Sequence, residues 1–145
     1  MCDCTADQIN EDTVGRIALE SDGPDRVWYI STDNETVGSL VDNVLIPRAK
    51  FTVGDGFGNP SDIAVDDTYL YVATGGMWRI PKEGAYYEYG QNDPERIFLT
   101  TVSFFWLDSA TNTAFWFRQP IFAGDWNLYS YDFDMLTETL LAESV

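Results

Sequence analysis

The sequence predicts an all-β domain built from three four-stranded antiparallel meanders, and three observations carry that prediction. Residues 61–84, SDIAVDDTYLYVATGGMWRIPKEG, hold an apolar strand (Ile63-Ala64-Val65), an acidic turn (Asp66-Asp67-Thr68), an aromatic strand at 69–73, a Gly75-Gly76 hairpin and a third strand at 77–80 stopped by Pro81. The same succession occurs once before and once after. Aligning first strands on Leu19, Val65 and Leu107, and second strands on Tyr29, Tyr71 and Trp116, spaces the copies about 42 to 46 residues apart. Finally, an acidic residue follows each first strand (Glu20, Asp66, Asp108), and each second strand is aromatic at its centre.

Taken in order, residues 1–14 (MCDCTADQINEDTV) are polar and acidic with no sustained period, and are expected to form a mobile leader outside the core. The β domain then runs over 15–145, with meanders at about 15–53, 60–100 and 102–145. The first has strands at 16–19, 26–31 and 36–41, punctuated by Pro24 and by clusters of Asp and Asn, with a fourth strand expected at 49–53. The glycines of 54–60 (GDGFGNP) suit a tight crossing to the central meander. They do not make a phosphate loop, because a strand rather than a helix follows Pro60 and the Lys and Ser/Thr of such a loop are missing. After the central meander, the tyrosine-rich connection EGAYYEYGQNDP leads to a strand at 96–100. The third meander has strands at 102–107, 113–118, 126–132 and 137–142.

The chain has 145 residues, of which 45% are hydrophobic and 15% aromatic, enough to bury a core without metals or disulfides despite a net charge of −16. Against 24 acidic residues stand 8 Lys and Arg, so there is no basic stripe to displace counterions from nucleic acid or to bind an anionic membrane. The acidic surface fits plain solubility, carboxylate-bound calcium or a high-salt habitat. No apolar run is long enough to span a bilayer. Residues 1–4 lack the basic and apolar regions of a signal peptide.

Cys2 and Cys4 are the two cysteines, and a bond between them would close a small strained ring that constrains almost none of the chain. They are expected to be exposed thiols of the leader, a lipid-attachment remnant at Cys2, or a link between subunits. The last two readings belong to an extracytoplasmic setting: secreted, periplasmic or lipid-anchored. Without histidine, the Ser/His/Asp and Cys/His catalytic groups are excluded, as are the usual Cys/His zinc sites.

The stretch IAVDDTYLYVATGGMWRIPKEG resembles the blades of six-bladed β-propellers of the TolB-like, NHL-like and YWTD-like types, whose strands read as an apolar IAVD run, a short turn, a YLYVA-type strand and an I-x-R-I/V-P-type strand. The likeness is good over about 25 residues of the centre and fair over the flanking meanders, including Asn127-Leu128-Tyr129-Ser130-Tyr131-Asp132. It implies that the three meanders are blades, half or a fragment of a ring. It also implies binding of proteins, peptides or glycans by a non-enzymatic module. A minority of such propellers, the gluconolactonase-like group, are calcium-dependent hydrolases, and half of one is the alternative reading; that group's spaced Glu/Asn/Asp ligand set is not identifiable here. Since propellers close with roughly four to eight blades, three leave open edges. A homodimer completing a six-bladed ring, an open assembly, or missing blades of a longer chain would cover them.

Candidate site residues follow from these readings. Tyr86, Tyr87, Tyr89 and Trp126 are candidates for an aromatic binding surface, against the plainer reading that such tyrosines cover a sheet edge. Asp66 and Asp67 are candidate calcium ligands, against the plainer reading of Asp as a turn former. No EF-hand spacing is present. No catalytic residue is assigned, and no cofactor is expected unless calcium binds.

Overall fold

The computed structural model describes residues 14–19, 27–31, 35–42, 44–54, 57–88, 90–98, 102, 104–118 and 126–143, with the backbone alone at 14–19 and 104. Among these residues the chain is all-β, and its strands form three antiparallel meanders, compatible with consecutive blades of a β-propeller. Sheet 1 comprises β1 (Val14–Leu19), β2 (Val27–Ser31), β3 (Thr36–Val41) and β4 (Val44–Lys50). Sheet 2 comprises β5 (Asp62–Val65), β6 (Tyr69–Ala73), β7 (Met77–Pro81) and β9 (Glu95–Phe98); between its last two strands, β8 (Tyr87–Glu88) leaves to join sheet 1. Sheet 3 comprises β10 (Phe104–Asp108), β11 (Thr113–Arg118), β12 (Asn127–Asp132) and β13 (Thr137–Ala142). No described helix is long and apolar enough to cross a membrane.

The sheets stack in chain order, with β5 lying between β1 and β10. Because side chains alternate along a strand, sheet 2 has two apolar faces and serves two cores. Ile63, Leu70, Val72 and Ile80 point to sheet 1 and pack with Trp28, Ile30, Val37, Ala49, Phe51 and Phe57, with Val65 and Trp78 partly buried beside them. Tyr71, Ala73 and Met77 point to sheet 3 and pack with Phe105, Ala114, Trp116, Tyr129, Tyr131 and Phe133. The second core is dominated by rings: Trp116 stacks on Phe98 at 4.6 Å and on Tyr129 at 5.8 Å, and Tyr71 meets Phe133 at 5.1 Å. Polar ties also join sheets 2 and 3, since the Asp62 carboxylate accepts from the backbone N–H of Phe105 and the Ser61 hydroxyl donates to the Val102 carbonyl.

Strand registers correct the alignment of second strands made from the sequence. Counting back from each turn, Leu19 pairs with Val27, Val65 with Leu70, and Leu107 with Ala114. The equivalent positions are therefore Trp28, Tyr71 and Phe115, followed one step on by Tyr29, Val72 and Trp116. Tyr71 and Trp116 fill the same core from opposite walls. The connections between first and second strands differ in length, and a slip of one residue exchanges the two faces of a strand.

Strand boundaries also differ from expectation: β7 includes Pro81, and β10 starts at Phe104 rather than at 102. The fourth strand of sheet 1 is β4, which contains Pro47 and ends at Lys50, rather than a strand at 49–53. An outermost strand tolerates proline because its outward N–H needs no partner. Phe51 lies beyond it and inserts into the first core, edge-on to Phe57 at 5.1 Å, while its backbone N–H donates to the Glu35 carbonyl. At the N-terminal end β1 begins at Val14, one residue inside the expected leader, and the rest of that segment lies outside the described residues.

Gly75, with φ +64°, makes the tight β6–β7 hairpin at the pair singled out from the sequence. The hairpin packs against Gly58 of the glycine-rich crossing, where the Thr74 hydroxyl donates to the Gly58 carbonyl. In sheet 1, Gly38 is required for a different reason: a Cβ there would fall 2.8 Å from the Tyr29 hydroxyl and 3.0 Å from the Pro47 Cα, besides striking the Ile46 carbonyl.

Candidate functional site

The tyrosine-rich connection occupies a sheet edge. Tyr87, in β8, pairs in parallel with Ala49 of β4 and packs partly against the first core. Tyr86 is exposed, and its carbonyl accepts from Asn92 Nδ2. Tyr89 lies outside the described residues. Trp126 is half-buried just before β12 in sheet 3, so sheet 2 stands between it and the tyrosines of sheet 1. The described aromatic candidates thus belong to two separate regions, Tyr86 and Tyr87 in one and Trp126 in the other. Arg48 holds the crossing segment in place: its Nη1 donates to the Gly84 carbonyl at 2.8 Å and its Nη2 to the Pro81 carbonyl at 3.5 Å.

The Asp66 carboxylate is committed to its own turn. Oδ1 accepts from the backbone N–H groups of Thr68 at 2.7 Å and Tyr69 at 2.6 Å, and Oδ2 accepts from the Tyr71 hydroxyl at 2.8 Å. Burial, reinforced by the hydrogen bond to the Asp66 carboxylate, pushes the Tyr71 hydroxyl well above the usual phenol range. Asp67 is exposed beside it. Asp108 and Asp132 form comparable turns, Asp108 through the Ala110 N–H and the Thr111 hydroxyl, Asp132 through the N–H groups of Asp134 and Met135. The Asp108 carboxyl, which accepts from the Thr111 hydroxyl, is held below its ordinary range. No group of three or more His, Cys, Asp or Glu residues able to share a metal ion occurs among the described residues. Cys2 and Cys4 lie outside them.

The sequence places Leu128 and Leu140 among the apolar residues expected on the outer face of the third meander, but Leu140, paired with Tyr129, belongs to the opposite face. It does not single out the aromatic residues that make the face of sheet 3 turned away from sheet 2 the surface most unlike an ordinary solvated one. Trp106 is 45% exposed there and stacks on Phe115 at 5.4 Å with an interplanar angle of 13°. Phe117 lies 5.9 Å from Trp106 and is paired in register with Leu128, which in turn faces Ala142. In the equivalent register, Trp28 and Ile30 of sheet 1 and Tyr71 and Ala73 of sheet 2 are fully buried against the next sheet. Phe115 and Phe117 continue that series and are half-buried, with no described sheet over them. At the other end of the stack, Val27, Leu40 and Leu45 are paired across β2, β3 and β4 on the face of sheet 1 turned away from sheet 2, and are half-buried. The signal for the sheet 3 face lay in the aromatic alternation of Phe115 and Phe117, but only the register separates them from Trp116, which faces the core.

A scan against protein-family models finds no match to this chain, and a search among curated proteins finds none either.

Proposed function

We propose that the chain is a non-enzymatic assembly module of the β-propeller kind. In this reading the open aromatic face of sheet 3 takes the apolar face of sheet 1 from a second copy of the chain. The observation that carries it is the continuity of register: the positions that fill both internal interfaces are just as apolar at Trp106, Phe115 and Phe117. Monomeric proteins rarely leave such a patch in water. A head-to-tail pair would assemble six sheets, a ring size that propellers use, and two-fold closure leaves neither face exposed. If the contact does not close, it propagates into a filament instead.

Light scattering on the purified chain tests this directly. A mass near twice 16.4 kDa is expected, and Trp106→Lys should reduce it to one chain without loss of folded structure, because Trp106 lies at the surface of a single copy. A stable, well-folded monomer of the parent chain at micromolar concentration refutes the proposal and leaves the missing blades of a longer protein to cover the face. Calorimetric titration with calcium addresses the hydrolase alternative. Asp66 already spends both oxygens on its turn, and no heat of binding is expected from that turn.

A further inference from the structure

The outer edges of the three sheets are protected unequally. In sheet 1, β4 carries Pro47 and Arg48, and the added strand β8 covers Ala49 and Lys50. In sheet 2, β9 is only four residues long and bears Glu95 and Arg96. In sheet 3, β13 is six residues long, contains no proline and a single charged residue, Glu138, has a register shift at Leu141, and is exposed from Thr137 through Leu141. Natural sheets normally blunt such an edge with charge, proline or brevity, because its unpaired N–H and C=O groups are a template for another strand.

The hairpin that leads into this edge adds a second observation. Met135 and Leu136 are 72% and 73% exposed at its tip, and Leu140 and Leu141 along the edge are 43% and 49% exposed. Leu136 has φ +52°, a left-handed conformation that a leucine side chain disfavours. The tip is nevertheless held, by the Asp132 carboxylate accepting from the Asp134 and Met135 N–H groups and by Asn112 Nδ2 donating to Asp134 Oδ1.

The molecule already contains one example of strand addition. β8 joins the edge that carries Arg48 and Lys50, where Arg48 donates to the Gly84 and Pro81 carbonyls, Lys50 pairs with Glu35 at 3.6 Å, and Glu88 lies in register with Lys50. The edge of sheet 3 occupies the same place in its meander with the charge reversed: Glu138 lies within it, Glu143 follows, and the whole chain carries −16. We infer that β13 is a strand-addition site that takes an extended segment of a partner protein, with Lys or Arg alternating with apolar residues. Backbone pairing along β13 supplies the docking, Glu138, which shares its face of the strand with Leu140, receives a cation, and Leu141 and the Met135-Leu136 tip receive apolar side chains.

The test uses the intact chain and a fluorescent peptide of about eight residues, alternating Lys and Val. Anisotropy is read at about 0.15 M salt, where unspecific attraction between exposed charges is screened. The same peptide N-methylated at every backbone amide keeps its charge but loses its ladder donors, and should bind at least about tenfold more weakly. Amide hydrogen exchange of β13 should slow when the unmethylated peptide is added. Glu138→Lys, at an exposed position, should weaken binding, whereas Asp67→Lys, the same change of charge at an exposed turn of sheet 2, should not alter it. Equal binding of the two peptides, binding by neither, or protection located elsewhere overturns the proposal. Amides of β13 that are already protected in the free protein, because a second copy occupies the edge, overturn it as well.

Discussion

Leu70→Ala is the most decisive perturbation of the fold. Leu70 is 0% exposed at the centre of β6, paired with Val65 on one side and Ile80 on the other, and packed in the core between sheets 1 and 2. The substitution removes three carbon atoms, worth about 0.8 kcal/mol each in lost transfer free energy. The cavity left between two stacked sheets can close only partly, which places the expected loss at about 2 to 4 kcal/mol. For a chain of this size that corresponds to a fall in Tm of roughly 5 to 15 °C, or in urea midpoint of about 1 to 2 M. Urea unfolding followed by tryptophan fluorescence is a suitable assay, since Trp28 and Trp78 belong to that core. Two controls at equal protein concentration isolate the cause. Leu140→Ala deletes the same atoms from an exposed position, and Asp67→Ala alters an exposed turn residue; each should cost under about 1 kcal/mol. Equal midpoints for Leu70→Ala and either control would refute the two-core assignment.

Two further outcomes follow from the structure. The Tyr71 phenol ionises at higher pH in the folded chain than in the unfolded chain, so above about pH 10 the unfolded state releases a proton that the folded state retains, and stability falls as pH rises; Tyr71→Phe should flatten that fall in an unfolding series from pH 8 to 11, and an unchanged slope would show that Tyr71 is not its source. Gly38→Ala should destabilise by more than the roughly 1 kcal/mol of a typical substitution, because its Cβ meets the backbone of β4, and a variant melting within a degree or two of the parent would contradict the close approach of β3 and β4.

Much of the site chemistry was readable in the sequence only as alternatives, and particular residues show why. Asp66 followed an apolar strand and preceded an aromatic one, a pattern suited to a turn or to a ligand; in the structure its carboxylate accepts hydrogen bonds from Thr68, Tyr69 and Tyr71. The tyrosines after Gly84 read as a stacking surface or an edge cover, and Tyr87 became part of a strand on a neighbouring sheet through pairing with Ala49, a non-local contact that no local pattern encodes. Trp106 was legible as strand but not as surface.

By itself the sequence determined the all-β class, the three meanders, the Gly75-Gly76 hairpin and the strands Thr36–Val41, Thr113–Arg118 and Thr137–Ala142, because alternation, aromatic runs and turn residues are local and are written residue by residue. The tertiary structure decided which face of each strand is buried. A side-chain period of two gives both faces of β6 or β11 the look of a core, and only the stacking order of the sheets assigns Tyr71 and Trp116 to an interior, leaving Phe115 and Phe117 half-buried and Trp106 exposed on the other face.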